Sequence, residues 1–175
     1  RHLDDGLFPY TKRFLGTLRN HFSTIGVNVL NEMIRNFTQD RETITTAEGK
    51  ALALRFLDRT RALLVKCQEA TGHMYNLEAT PAEGATYRFA REDRKRFPGI
   101  LQAGSAEAPY YTNSSHVPVS SDINLIDRIR VEEQFHSRTL GGHIFHAFMG
   151  LINSFSRHFL SWPVYLQTAS RIGNA

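Results

Sequence analysis

Apolar residues recur at helical spacing in several stretches of this chain, and short β-branched runs separate them. Phe14, Leu15, Leu18 and Phe22 fall on one face, which predicts a helix of about four turns running from Leu7-Phe8-Pro9 to Phe22. Ser23-Thr24-Ile25-Gly26-Val27 reads as a brief strand or a tight turn. Asn28 caps a second helix over residues 29–37, with Leu30, Met33 and Ile34 inward, and residues 38–43 are polar and form a loop. The strongest helical pattern covers residues 46–71. Leu52, Phe56, Leu63 and Cys67 form its stripe, widened by Ala53, Leu57 and Leu64, and Gly72 stops it.

The stretch after Gly72 organises the rest. Residues 74–79 predict a strand that runs straight into a helix start. Thr80 is the expected N-cap, Pro81 fits the first helical position, and Glu83 completes a capping box. The helix then runs to the stop at Pro98-Gly99. Residues 102–109 are small and polar and predict a loop. Residues 110–119 have strand-like ends around a polar middle, a pattern that suits a cleft wall better than a dry core. Residues 124–135 predict a helix, broken by Leu140-Gly141-Gly142. Residues 143–150 fit either a buried strand or a helix start, because periodicity does not separate the two in so short a run. A helix over 153–159 and a strand over 162–166 complete the pattern.

Helices alternating with short apolar strands predict an α/β fold, helix-rich and with largely parallel strands. Four or five strands are too few to close a barrel, so the chain is a small open sheet or part of something larger.

Composition narrows the function classes. The 175 residues suffice for one domain, or a piece of one, with a real core. No apolar run reaches membrane-spanning length, and no N-terminal signal pattern occurs. A single cysteine excludes an internal disulfide and fits a reducing, cytoplasmic setting. The net charge of +4 is concentrated in Arg88, Arg91, Arg94, Lys95 and Arg96. This segment is either a solvated helix face or a phosphate-facing surface. The second option supports an alternative function, a non-enzymatic α/β module binding nucleotide or nucleic acid through residues 88–96.

Candidate chemistry concentrates at the strand-to-helix junction. A bare helix N-terminus offers free N–H groups and the positive end of the dipole to an anion. Capping accounts for Glu83, so an anion would meet the N–H groups near Gly84, Ala85 and Thr86. Cys67 lies on the apolar stripe and reads as a core residue. His143 and His146 form a possible metal pair, but no third ligand is evident nearby, and the expectation is no metal. Gly141-Gly142 reads as a turn. His116, among polar neighbours, is a better site candidate than His136.

Several blocks, taken in order, resemble the anaerobic (class III) ribonucleoside-triphosphate reductases, a glycyl-radical family. They are Gly6-Leu7-Phe8-Pro9-Tyr10-Thr11-Lys12-Arg13-Phe14-Leu15, then Ser23-Thr24-Ile25-Gly26-Val27-Asn28 closing with Asn31-Glu32. Tyr75-Asn76-Leu77-Glu78-Ala79-Thr80-Pro81-Ala82-Glu83-Gly84 is the most specific, continued by Arg91-Glu92-Asp93-Arg94-Lys95-Arg96-Phe97-Pro98. Ala108-Pro109-Tyr110-Tyr111-Thr112-Asn113-Ser114-Ser115-His116-Val117-Pro118-Val119 follows. The match is close over residues 6–119 and loose over 120–175. Val29 stands where the family pattern has Gly, and Leu151 where it has Glu.

The resemblance implies that residues 1–175 are one internal segment of the catalytic domain, part of a ten-stranded α/β barrel. The parent reaction reduces ribonucleoside triphosphates to deoxyribonucleoside triphosphates by glycyl and thiyl radical chemistry, supplying deoxyribonucleotides for DNA replication. The radical glycine, the thiyl cysteine and the zinc-binding cysteines of the family match nothing here. The segment is therefore expected to be inactive alone, without a radical or metal of its own. Its implied role is nucleotide (ATP-class) binding through the substrate phosphates, at Thr80, Gly84, Ala85 and Thr86. Tyr111, Asn113, Ser114, Ser115 and His116 are the expected cleft-lining residues, an inference from polarity and position, and no catalytic residue is assigned. Implied partners of the parent are a radical-activating S-adenosylmethionine iron–sulfur enzyme and a second copy in a homodimer. A related lyase of the glycyl-radical class is a further reading, which the Thr80-Pro81-Ala82-Glu83-Gly84 block disfavours.

Overall fold

A computed structural model describes residues 2–147 and the backbone of residues 164–166. The fold is α/β, and its centre is a parallel pair, β1 (Phe22–Val27) and β2 (Met74–Ala79), in register from Phe22 opposite Met74 to Val27 opposite Ala79. Preceding it is α1 (Pro9–Phe14). The crossover between the strands carries α2 (Leu30–Phe37) and α3 (Ala47–Thr71). After β2 come α4 (Glu83–Arg96), the two-residue strands β3 (Ala103–Gly104) and β4 (Pro109–Tyr110), and α5 (Leu125–His136). The chain then returns to the free edge of β2. Gly141 N–H donates to Leu77 O, Ala79 N–H donates to Gly142 O, and Gly142 bridges Glu78 in parallel. β5 (Phe145–Ala147) follows and pairs with β6 (Val164–Leu166).

Parallel pairing holds for β1, β2 and the Gly142 bridge, whereas β3–β4 and β5–β6 are antiparallel, so the expectation of largely parallel strands holds only for the central sheet. The helix expected over 153–159, together with Trp162 and Pro163 of the last expected strand, lies outside the described residues.

The long helix forms where its end signals stand. Thr46 caps it by accepting the Gly49 N–H, and Gly72 closes it at φ 68°. A Cβ on Gly49 would lie 1.9 Å from Thr43 O, so the cap loop needs a residue without a side chain there. The buried positions of α3 are Gly49, Ala53 and Leu57. Phe56, Leu63 and Cys67 are exposed, which corrects both the expected stripe and the reading of Cys67 as a core residue. Two adjacent apolar stripes run along this helix, and the sheet covers one.

α1 is also shorter than the pattern implies. Gly16 turns to φ 66° and returns its N–H to Thr11 O, which ends the helix after one and a half turns. Phe14, Leu15, Leu18 and Phe22 are all exposed.

The core joins Val27 and Leu77 from the central strands to Leu30, Ile34, Ile44, Ala53, Leu57, Val117 and Phe135. Leu57 is fully buried, and its truncation to alanine costs about 2–5 kcal/mol. Buried Glu32 ties this core to the polar segment after β4. Its carboxylate accepts the Thr112 N–H at 2.9 Å, the Thr112 hydroxyl at 2.7 Å and the Asn31 amide at 3.0 Å. Val29, at the start of α2, has φ 63°, a left-handed conformation that costs a β-branched residue about 1–2 kcal/mol. This is the position at which the resemblance implies glycine.

Candidate functional site at the β2–α4 junction

β2 ends against β1 and α4 begins at once, so the helix N-terminus lies at the carboxyl edge of the parallel pair. The junction is tight. A Cβ on Gly26 would lie 2.0 Å from Thr80 Oγ1, so glycine lets Thr80 press onto β1.

Thr80 is not the cap. The N-cap is Ala82, which makes no side-chain capping bond, and the Thr80 hydroxyl is buried without a partner among the described residues. The capping box is likewise absent, because Glu83 turns toward Asn113 instead of back to Thr80. The Asn113 amide donates to Glu83 Oε1 at 3.0 Å while its oxygen accepts the Ala82 N–H at 2.8 Å. A residue remote in sequence therefore caps α4 from across the junction.

The Thr86 N–H is taken by Ala82 O, and its hydroxyl donates to Glu83 O. The outward N–H groups are therefore those of Glu83, Gly84 and Ala85, one position earlier than the sequence implied, and no protein acceptor takes them among the described residues. Gly84 has open space where a side chain would stand.

This helix start opens on a cavity of about 560 Å³, lined among others by Glu83, Thr86, Tyr111, Asn113, His116, Arg128, Glu132 and His146. Of the expected cleft residues, Tyr111, Asn113 and His116 reach it. Ser114 is used in the frame: its N–H donates to Asn28 Oδ1 at 2.8 Å and its hydroxyl to Thr80 O at 2.5 Å. Ser115 is fully buried and its hydroxyl lacks a partner among the described residues. The Tyr111 hydroxyl donates to Asp93 Oδ2 at 2.8 Å. Burial is the main cause that raises its pKa to about 12, so the phenol stays protonated.

The cavity floor is an imidazole and carboxylate cluster. Glu132 Oε1 accepts the Val117 N–H at 2.9 Å, which leaves Oε2 3.0 Å from His116 Nδ1 and 3.7 Å from His143 Nε2. Burial pushes the Glu132 carboxyl up, but His116, His143 and the Val117 N–H outweigh it and hold its pKa at about 2. Burial lowers the pKa of His143, and it lowers that of His146 with the help of the neighbouring His116. Burial and the charge of His143 depress His136 to about 4. Both His143 nitrogens and His136 Nε2 are buried without a hydrogen-bond partner among the described residues, each at a cost of about 1–3 kcal/mol. Arg128, also at the cavity, donates to Val117 O and Pro118 O, and no carboxylate lies within ion-pair distance of it among the described residues.

Glu132 and Arg128 went unassigned in the sequence. The one signal for them was spacing: Arg128, Glu132 and Phe135 share the inward face of α5, where two charged residues call for partners.

The basic segment 88–96 is structurally engaged on the exposed side of α4. Arg94 donates to the carbonyls of Ser105 and Ala106, and Lys95 pairs with Glu92. Arg88 and Arg91 lie over the rings of Phe89 and Tyr87. No helix among the described residues is long and apolar enough to cross a membrane.

Comparison with known proteins supplies the family. Residues 1–159 match the family described as anaerobic ribonucleoside-triphosphate reductase. The enzyme of that name from Enterobacteria phage T4 is 32% identical over 96 residues, covering 55% of this chain and 16% of the relative. Its counterpart from Escherichia coli (strain K12) is 28% identical over 124 residues, covering 69% and 17%. The anaerobic ribonucleotide reductase from Thermotoga maritima, solved with glycerol in the active site, superposes with a TM-score of 0.66 at 27% identity, over 85% of this chain and 24% of that one. The same enzyme in complex with dATP and CTP gives 0.62 at 26% identity, over 80% and 23%. The chain thus spans about a sixth of the length of these curated relatives. These matches do not favour the nucleic-acid module. With the family pattern running through β1, β2, α4 and the cavity wall, the chain belongs to the anaerobic ribonucleoside-triphosphate reductase family.

Proposed function

We propose that this chain is a segment of the catalytic domain of an anaerobic ribonucleotide reductase and that it holds the phosphates of a ribonucleoside triphosphate at the β2–α4 junction. One observation carries the reading: among the described residues no protein acceptor takes the N–H groups of Glu83, Gly84 and Ala85, which open beside a cavity at the carboxyl edge of a parallel strand. Asn113 supports it by holding the Glu83 carboxylate to one side, and Arg128 adds a cation to the cavity wall. Thr80 shapes the junction, Tyr111 and His116 line the ligand space, and Ser114 and Ser115 hold the wall behind them.

The reaction of the whole enzyme is ribonucleoside-triphosphate reduction through glycyl and thiyl radicals in the cytoplasm, started by a separate S-adenosylmethionine iron–sulfur activase acting on a homodimer. Within it the segment supplies part of a ten-stranded barrel and is inactive by itself. The exposed Phe22 and Ile25 of β1 support that placement, since a parallel sheet is normally covered on both faces.

Amide chemical shifts of the chain titrated with a ribonucleoside triphosphate test the phosphate role. Shifts concentrated at Glu83, Gly84 and Ala85 are expected, together with no turnover in a reductase assay. An unperturbed junction at saturating nucleotide overturns the binding role.

A further inference from the structure

We propose that His116, Glu132 and His143 form a binding site for one divalent first-row transition-metal ion, zinc being the type case, with an open coordination position toward the cavity. The potential donor atoms of these three buried residues all lie within 4.8 Å of one another. They come from three separate parts of the fold: the wall after β4, the inward face of α5, and the segment between the Gly142 bridge and β5.

The donors converge, and a bound ion takes the place of the hydrogen that His116 Nδ1 shares with Glu132. The Val117 N–H fixes one oxygen of Glu132 and leaves the other facing both imidazoles. Bonds of about 2.0–2.1 Å to a four-coordinate ion place ligand atoms about 3.3 Å apart. The distances from Glu132 Oε2 to His116 and His143, 3.0 and 3.7 Å, bracket that spacing. The third pair, His116 and His143, lies within 4.8 Å.

A hydrogen-bonded histidine and glutamate pair is the simpler reading of His116 and Glu132. It leaves His143 unexplained, because that side chain is only 3% exposed and both its nitrogens lack hydrogen-bond partners among the described residues. A ligated ion gives His143 a partner and uses all three groups. Two imidazoles and one carboxylate suit zinc and its neighbours, whereas calcium and magnesium require oxygen ligands. His116 and Glu132 border the cavity, so water or a ligand there can complete the coordination. Sequence spacing hid this set, since the visible pair was His143 and His146, and the other two ligands are distant along the chain. The site requires no nucleotide and stands apart from the phosphate reading.

Equilibrium dialysis of the 175-residue chain against Zn²⁺, with metal analysis, tests the site. One ion per chain is expected. His143→Ala and Glu132→Gln should each weaken binding about 100-fold or more, because losing even an outer-shell partner costs 10–100-fold. His73→Ala, at an exposed histidine, should leave binding unchanged. Ring nitrogen shifts of His116 and His143 on adding Zn²⁺ to the unsubstituted chain give a readout that survives a variant failing to fold. Less than stoichiometric binding, equal binding by all variants, or unmoved ring shifts at these two residues would each overturn the proposal.

Discussion

Replacing Asn113 with alanine tests the junction that organises this chain. Its side chain makes two bonds to the start of α4, one to the part-buried Ala82 N–H and one to the exposed Glu83 carboxylate. The first contributes about 1 kcal/mol, as a side-chain cap does, and the second adds about 0.5 kcal/mol. Asn113→Ala should therefore destabilise the chain by about 1.5 kcal/mol. Asn113→Asp keeps the acceptor for Ala82 but sets a second carboxylate against Glu83. Mutual repulsion raises the pKa of both acids in the folded state, so the penalty is present at neutral pH and fades as pH falls through those values. Urea denaturation followed by circular dichroism, at pH 7 and at lower pH, reads both effects. Hydrogen exchange at Glu83, Gly84 and Ala85 locates them. An unchanged urea midpoint for Asn113→Ala, with unchanged α4 protection, refutes the cross-junction cap.

Three further substitutions follow from close contacts. Gly26→Ala should cost about 1–3 kcal/mol by overpacking, and adding Thr80→Ala should recover part of it because the hydroxyl in the way is gone; additive losses in thermal denaturation contradict the contact. Val29→Gly removes the left-handed strain at a smaller entropic cost and should raise stability by up to ~1 kcal/mol, whereas a lower melting temperature refutes that assignment. Glu32→Ala strands the buried Thr112 N–H and the Asn31 amide and should cost about 3–5 kcal/mol; a loss below about 1 kcal/mol in the same denaturation assay would show that the bonds to Thr112 do not hold the cavity wall.

Local signals were the legible part of the sequence. Thr46 and Gly72 bound α3, Asn124 caps α5, and β2 spans the residues its pattern predicts. The polar middle of residues 110–119 suggests a cleft wall, and Tyr111, Asn113 and His116 of that segment line the cavity. What stayed hidden depends on contacts distant in sequence. Thr80, Pro81 and Glu83 satisfy every rule for a capping box, yet Asn113 supplies the cap and Thr80 Oγ1 has no partner among the described residues. Helical period alone does not choose between the two apolar stripes of α3, so it does not reveal that Cys67 is exposed. The antiparallel β3–β4 and β5–β6 pairs are too short for an alternation pattern. His116, Glu132 and His143 meet only once α5 has packed beneath the wall.

The central claim, that the helix start after β2 receives nucleotide phosphate, is tested most directly by a crystal structure of the chain with a ribonucleoside triphosphate. Phosphate oxygens about 3 Å from the Gly84 and Ala85 nitrogens, with Glu83 still held by Asn113, are the predicted result. Nucleotide bound on the basic face of residues 88–96, with the junction N–H groups turned to solvent, contradicts it.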